Sequence, residues 1–233
     1  MKSPPTWPPK PSPKAAEIIL KGDLATSKLL HAVLDPKYNL RRKGLLSHVA
    51  LITPPRYSKS LLITDGGMVI KPDFGQKVEI IRNAVVVARA LGVSVPRVAV
   101  MTTIDYVEED FPETFEAAAL SKMAQRGQIK SCLIDGPLSF DTAVWQEAAD
   151  NLGIQSDVAG QADIVVVESI EEGNILAKAL AQFGGASFAG VVVGARVPIS
   201  LVSRADRAFN KMASVALAVV LSSYLKSLGG GSK

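Results

Sequence analysis

Gly190 to Arg207, GVVVGARVPISLVSRADR, is the stretch whose reading decides the fold. Val191 to Val193, set between small residues, reads as a short buried strand, because β-branched side chains suit a pleated, two-sided packed environment. Gly194 breaks it. The turn that follows carries Arg196 and Pro198, and after a short apolar link Ser203, Arg204, Ala205 and Asp206 open a long helix. Unpaired N–H groups at a helix start carry partial positive charge, so with Arg196, Arg204 and Arg207 nearby the place suits a phosphate or another anion. An ordinary capping box fits the same letters, since Ser203 and Asp206 are three apart.

Working outward, strands alternate with helices at the length of βαβ units, which predicts an α/β fold with a largely parallel sheet. Ala16 to Leu20 reads as a strand ending at Lys21 and Gly22, a second phosphate contact if it faces the first. Thr26 to Leu34 reads as a helix with Leu29, Leu30, Val33 and Leu34 on one face. Strands are expected over 49–53, 61–64, 97–101, 130–134 and 162–167. Helices are expected over 73–92, with Asp73 and Gln76 as a capping box, and over 112–126, 139–152, 175–183 and 206–225. Polar groups recur where strands end: Asp65 before Gly66 and Gly67, Asp135 before Gly136, Glu171 with Asn174, and Ser203 to Asp206. In parallel sheets such ends share one edge, so these groups are expected to meet in one cleft.

Composition narrows the function. The 233 residues are 48% hydrophobic and 21% charged, enough for one large or two modest domains with real cores. The formal charge of +4 owes part to Lys2, Lys10, Lys14 and Lys233, and aromatics are not interleaved with Lys and Arg, so nucleic acid is not the expected partner. A single cysteine, Cys132, excludes an internal disulfide, and His31 and His48 lie too far apart for a zinc motif. The run near 212–221 is too short to span a bilayer and the amino terminus lacks a signal-peptide core, so a cytoplasmic setting without membrane contact is expected. Residues 1–14, with six prolines, read as a disordered leader.

Seven stretches carry a resemblance: Ser47-His48, Ile63-Thr64-Asp65, EIIRNAVVVARALG from Glu79, EAAALSKMAQRGQIK from Glu116, DGPLSFD from Asp135, ADIVVVESIEEGN from Ala162 and GARVPISLVSRAD from Gly194. From about Ala16 to Tyr224 the chain resembles the phosphate acetyl/butyryltransferase family, closer to the butyryl branch. The resemblance implies a two-lobed isocitrate/isopropylmalate dehydrogenase-like fold with largely parallel sheets, acting as a homodimer. It implies acyl transfer between coenzyme A, as a thioester substrate, and orthophosphate, with no cofactor and no metal. Residues 15–46 and 186–228 would form a reduced first lobe and 47–185 the second, the leader standing where relatives carry a further segment. Ser203 and Arg204 would hold phosphate and the developing oxyanion. Asp206 would take the thiol proton, the acetyl branch having its proposed base nearer Asn210. Lys21, Arg196, Asp135, Asn174, Asp65 and Ser47 would contact substrate. Val167-Glu168 departs from the family's usual Val-Pro. The alternative reading is a catalytically impaired paralogue that binds acyl-CoA or serves in assembly.

Overall fold

The structure, a computed structural model, describes residues 16–42, 44–201 and 206–229. Among these residues eight strands, β1 (Ile19–Leu20), β2 (Ser47–Thr53), β3 (Leu61–Thr64), β4 (Arg97–Met101), β5 (Leu133–Leu138), β6 (Ile164–Val166), β7 (Ser187–Val193) and β8 (Ile199–Ser200), form one sheet in the order β1-β8-β7-β2-β3-β6-β4-β5. The expected parallel ladder is present in β3, β6, β4 and β5 and again between β1 and β8. The middle differs from expectation: β2 runs antiparallel to both β3 and β7, and β7 antiparallel to β8, so the sheet is mixed. Gly194, at φ +99, occupies a conformation open chiefly to glycine and lets the chain turn back from β7 into β8. That short β8 was the unassigned apolar link.

Among the described residues seven helices flank the sheet: α1 (Thr26–Leu34), α2 (Phe74–Ala90), α3 (Pro112–Gln125), α4 (Phe140–Val144), α5 (Gln146–Asn151), α6 (Ile170–Gln182) and α7 (Ala208–Gly229). On one face α2, α3 and α7 cover Val49, Val191 and Val193. On the other, α4, α5 and α6 cover Ala50, Ile52 and Ile63, and α1 covers Val192 and Ile199. The Asp73 carboxylate accepts from Gln76 N at 2.8 Å and the Gln76 amide oxygen from Asp73 N at 2.9 Å, the expected capping box.

Several boundaries move. The first strand is only Ile19–Leu20, β2 reaches back to Ser47 and β7 to Ser187. The fifth strand starts and ends later than expected and takes in Asp135, Gly136 and Pro137; an edge strand tolerates the proline, and Gly136 lets it press on β4, where a Cβ would come within 2.8 Å of the Val100 carbonyl oxygen. The helix expected over 139–152 is broken at Trp145, which is extended. α6 begins at Ile170 rather than after Asn174, its Ser169 hydroxyl accepting from Glu172 N. Asp206 precedes α7, which starts at Ala208. That helix runs well beyond the apolar core 212–221, and 208–228 is long and apolar enough by length and composition to cross a membrane. Here it lies on the sheet, with Leu217, Ala218 and Leu221 buried and the Ser214 hydroxyl accepting from Gly190 N at 2.9 Å. The leader, 1–14, lies outside the described residues.

Candidate active site

A cavity of about 630 Å³ runs along the sheet between α1 and α6, within the range that holds a small molecule. Its floor follows from register. Even-numbered residues of β2 and β7 share this face, His48 opposite Val192, Ala50 opposite Gly190 and Ile52 opposite Phe188. The Ala50–Gly190 pair carries almost no side chain, and its neighbours close over it: a Cβ on Gly190 would come within 2.8 Å of His48 Nε2 and of the Leu201 carbonyl oxygen and 3.5 Å of the Phe188 ring. Along α6, Gly173, Ala177 and Ala181 recur every four residues beside Asn174, Lys178 and Gln182, and all six line the cavity. One row of small residues thus keeps the wall close while the next offers an amide, an ammonium group and a second amide.

At one end, Gly66 and Gly67 follow β3, and Gly66 meets the first turn of α6 so closely that a Cβ would lie 2.8 Å from the Gly173 carbonyl carbon. The Asn174 amide donates to the Gly66 carbonyl at 3.3 Å. At the other end lie Lys21, Leu24, Leu201, Asp206 and Asn210. Lys21 is largely buried, and its N–H donates to the Ser200 carbonyl at 3.2 Å, fixing it at the end of β1.

Of the residues singled out from sequence, Lys21, Asn174 and Asp206 line this trough. Ser203 and Arg204 lie outside the described residues. Ser47 does not line it, because alternation along β2 turns its hydroxyl to the opposite face, where it accepts from the Asn83 amide at 2.9 Å. Asp65 lies beneath the trough: its carboxylate accepts from the N–H groups of His48, Gly67 and Met68 at 3.0, 2.8 and 2.8 Å, and so shapes the glycine turn. Burial pushes the Asp65 carboxyl above the ordinary range, and those N–H groups offset part of that shift. Arg196 is exposed in the turn between β7 and β8, its N–H bound to the Leu40 carbonyl, away from the trough. Asp135 sits within edge strand β5 and lines a separate depression with Cys132, Gln155 and Asp157. The Cys132 thiol is pushed up to about 11 by burial.

The expectation of a shared edge holds for the carboxyl ends of β3, β6 and β5, which run parallel, but Asp135 lies inside β5 rather than at its end. β8 runs opposite to them, and its chain leaves beside Gly190, midway along β7. The trough, lying along the face, is what joins Asn174 to Asp206. His48 and Lys178, which line it too, were not singled out from sequence; the i, i+4 rows on α6 and the Ser47/His48 alternation were the signals.

These features define a class: an α/β protein with a face-lying trough of lysines, amides and one carboxylate, suited to an anionic small molecule. The chain belongs to the phosphate acetyl/butaryl transferase family, whose pattern it matches over residues 12–219. It is 46% identical over 209 residues to a probable phosphate butyryltransferase of Bacillus subtilis, covering 90% of this chain and 70% of that protein. A phosphate acetyltransferase of Thermotoga maritima is 44% identical over 204 residues, covering 88% and 69%. Among solved structures, a branched-chain phosphotransacylase from Enterococcus faecalis superposes with a TM-score of 0.83 at 34% identity, covering 89% of this chain and 74% of that one.

Proposed function

We propose that the protein transfers an acyl group, butyryl or acetyl, between coenzyme A and orthophosphate. A phosphate oxygen attacks the thioester carbonyl, the carbon–sulfur bond breaks, and acyl phosphate and free thiol leave; the reverse step forms the thioester. The observation that carries this reading is family membership over most of the chain together with a trough lined by cationic and amide groups.

Ser203 and Arg204 are assigned to the phosphate and the developing oxyanion; in support, Leu201 and Asp206, on either side of them in sequence, line the trough. Aimed positive charge lowers such a barrier by about 3 kcal/mol. In the thioester-forming direction Asp206 takes the thiol proton, a task a modest base can perform on a thiol of pKa about 8.5. Lys21, Lys178 and Asn174 hold the anionic parts of the substrates. No cofactor or metal enters the reaction.

A two-lobed arrangement, 15–46 with 186–228 against 47–185, would have its lobes joined by the β2–β7 ladder. A cytoplasmic homodimer is part of the same proposal, supported by exposed Phe209, Met212, Val219 and Val220 on α7. The test is release of free coenzyme A from butyryl- and acetyl-CoA with phosphate. Turnover is expected, and Arg204→Ala should lower kcat about 100-fold or more; unchanged turnover in that variant overturns the site.

A further inference from the structure

One polar ring on the trough floor has no part in the assignments above. His48 is 7% exposed and lines the trough. Its main chain is pinned on both sides, the N–H donating to Asp65 Oδ2 at 3.0 Å and the carbonyl accepting from Thr64 Oγ1 at 2.8 Å. The ring lies in a slot between two glycines. A Cβ on Gly67 would come within 2.8 Å of ring Cγ, and a Cβ on Gly190 within 2.8 Å of Nε2. The same Gly190 Cβ would come within 2.8 Å of the Leu201 carbonyl oxygen, so the Nε2 edge lies on the trough face beside Leu201, which lines the trough with His48.

The other nitrogen, Nδ1, is buried without a hydrogen-bond partner among the described residues. A buried N–H left unpaired costs more than an unpaired lone pair, so this environment favours the tautomer with a bare Nδ1 and a protonated Nε2. That tautomer is a hydrogen-bond donor facing the cavity. An aromatic hydrocarbon would fill the slot without the cost, about 1–3 kcal/mol, of burying an unpaired polar group.

We propose that His48 is a catalytic residue whose Nε2–H donates a hydrogen bond to the carbonyl oxygen of the acyl group being transferred. This rests on the acyl-transfer reading above. When phosphate or thiolate adds to that carbonyl its oxygen gains negative charge, and a donor already held in place strengthens its bond as the charge grows. The donor works uncharged: burial lowers the His48 pKa to about 4, so the ring carries no positive charge in neutral solution and keeps the same donor throughout turnover.

His48→Phe keeps a flat ring in the slot and removes the donor; kcat should fall about 100-fold with KM for acyl-CoA nearly unchanged, the cost of losing one such donor. His48→Gln restores an N–H and should recover at least tenfold of that loss. A kcat for His48→Phe equal to the parent's overturns the inference, because a merely structural ring is replaced by phenyl. A direct readout covers the case in which a variant fails to fold. The chain has two histidines, so the imidazole nitrogens of the ¹⁵N-histidine-labelled protein resolve as two sets. Adding acetyl-CoA should shift His48 Nε2 and leave His31 in place, whereas inorganic phosphate alone should shift neither. A protein that turns over while His48 stays silent overturns this inference and leaves the function standing. Absence of turnover overturns the function, and a His48 shift would then still support the contact.

Discussion

Replacing Lys77 with methionine isolates a deeply buried charge. The Lys77 side chain is 2% exposed, and its Nζ lies 2.7 Å from Glu116 Oε2 and 2.5 Å from Glu168 Oε2. Burial works against the ammonium charge, but the two carboxylates outweigh it and hold the lysine pKa above its ordinary value. Methionine keeps the length of the stem and removes the charge, so both carboxylates lose their partner. Breaking a fully buried pair costs about 3–5 kcal/mol. Glu116, 40% exposed, can turn to water, whereas Glu168, 21% exposed, keeps most of the penalty. The expected loss near pH 8 is therefore about 2–3 kcal/mol, a fall in Tm of roughly 4–12 °C for a chain of this size. Its sign with pH follows from Glu168. Burial already raises that carboxyl, and Lys77 is what pulls it back. Without the ammonium its folded pKa climbs further above the unfolded value of about 4.3, so the fold favours the protonated form. Stability of the variant is then fully present below the unfolded pKa and is lost as pH rises through the raised folded one. Calorimetric melts of the variant and the parent near pH 5.5 and pH 8 should show the smaller deficit at the lower pH. Equal deficits at both, or a deficit under about 1 kcal/mol at pH 8, would refute the reasoning.

Two further substitutions separate the trough from its surroundings. In Gly66→Ala the new methyl meets backbone, 2.8 Å from the Gly173 carbonyl carbon and 3.0 Å from Asn174 N, so the start of α6 must retreat; we expect about 1–3 kcal/mol lost in urea unfolding and weaker acyl-CoA binding in calorimetry. Asp135→Ala, by contrast, alters only the separate depression beside β5, and thiol release should stay within about twofold of the parent; a tenfold loss would mean that Asp135 reaches the substrate.

How much of this was legible in the sequence depends on which forces are local. Thr26–Leu34, Leu61–Thr64 and Arg97–Met101 fall on their expected bounds, because periodicity and flanking glycine or proline act within a few residues. The capping box at Asp73 was readable for the same reason. α6 starts five residues before expected because Glu171 and Glu172, polar enough to suggest a loop, stand in a first turn where negative charge is favourable. Pro137 and Gly136 looked like the end of a strand and are its interior, which only the edge position of β5 permits. Lys21, Asn174 and Asp206, singled out from turn chemistry, line the trough. The roles of Ser47 and His48 were not legible, since deciding which of two neighbours faces the cavity needs the strand's partner.

The trough has a cause that no single segment contains. In an all-parallel sheet the binding residues would gather at one edge, each delivered by its own strand end. Here β2 and β7 put an antiparallel ladder in the middle of the sheet, and that ladder sets Ala50 against Gly190. The His48 and Phe188 rings and the Leu201 carbonyl close over that glycine, and the reversal through Gly194 into β8 carries the chain toward Asp206, which lines the same trough as Asn174. A long, two-ended substrate then meets polar groups at both ends of one groove. Coenzyme A thioesters have that shape, with a charged nucleotide far from the reacting carbonyl.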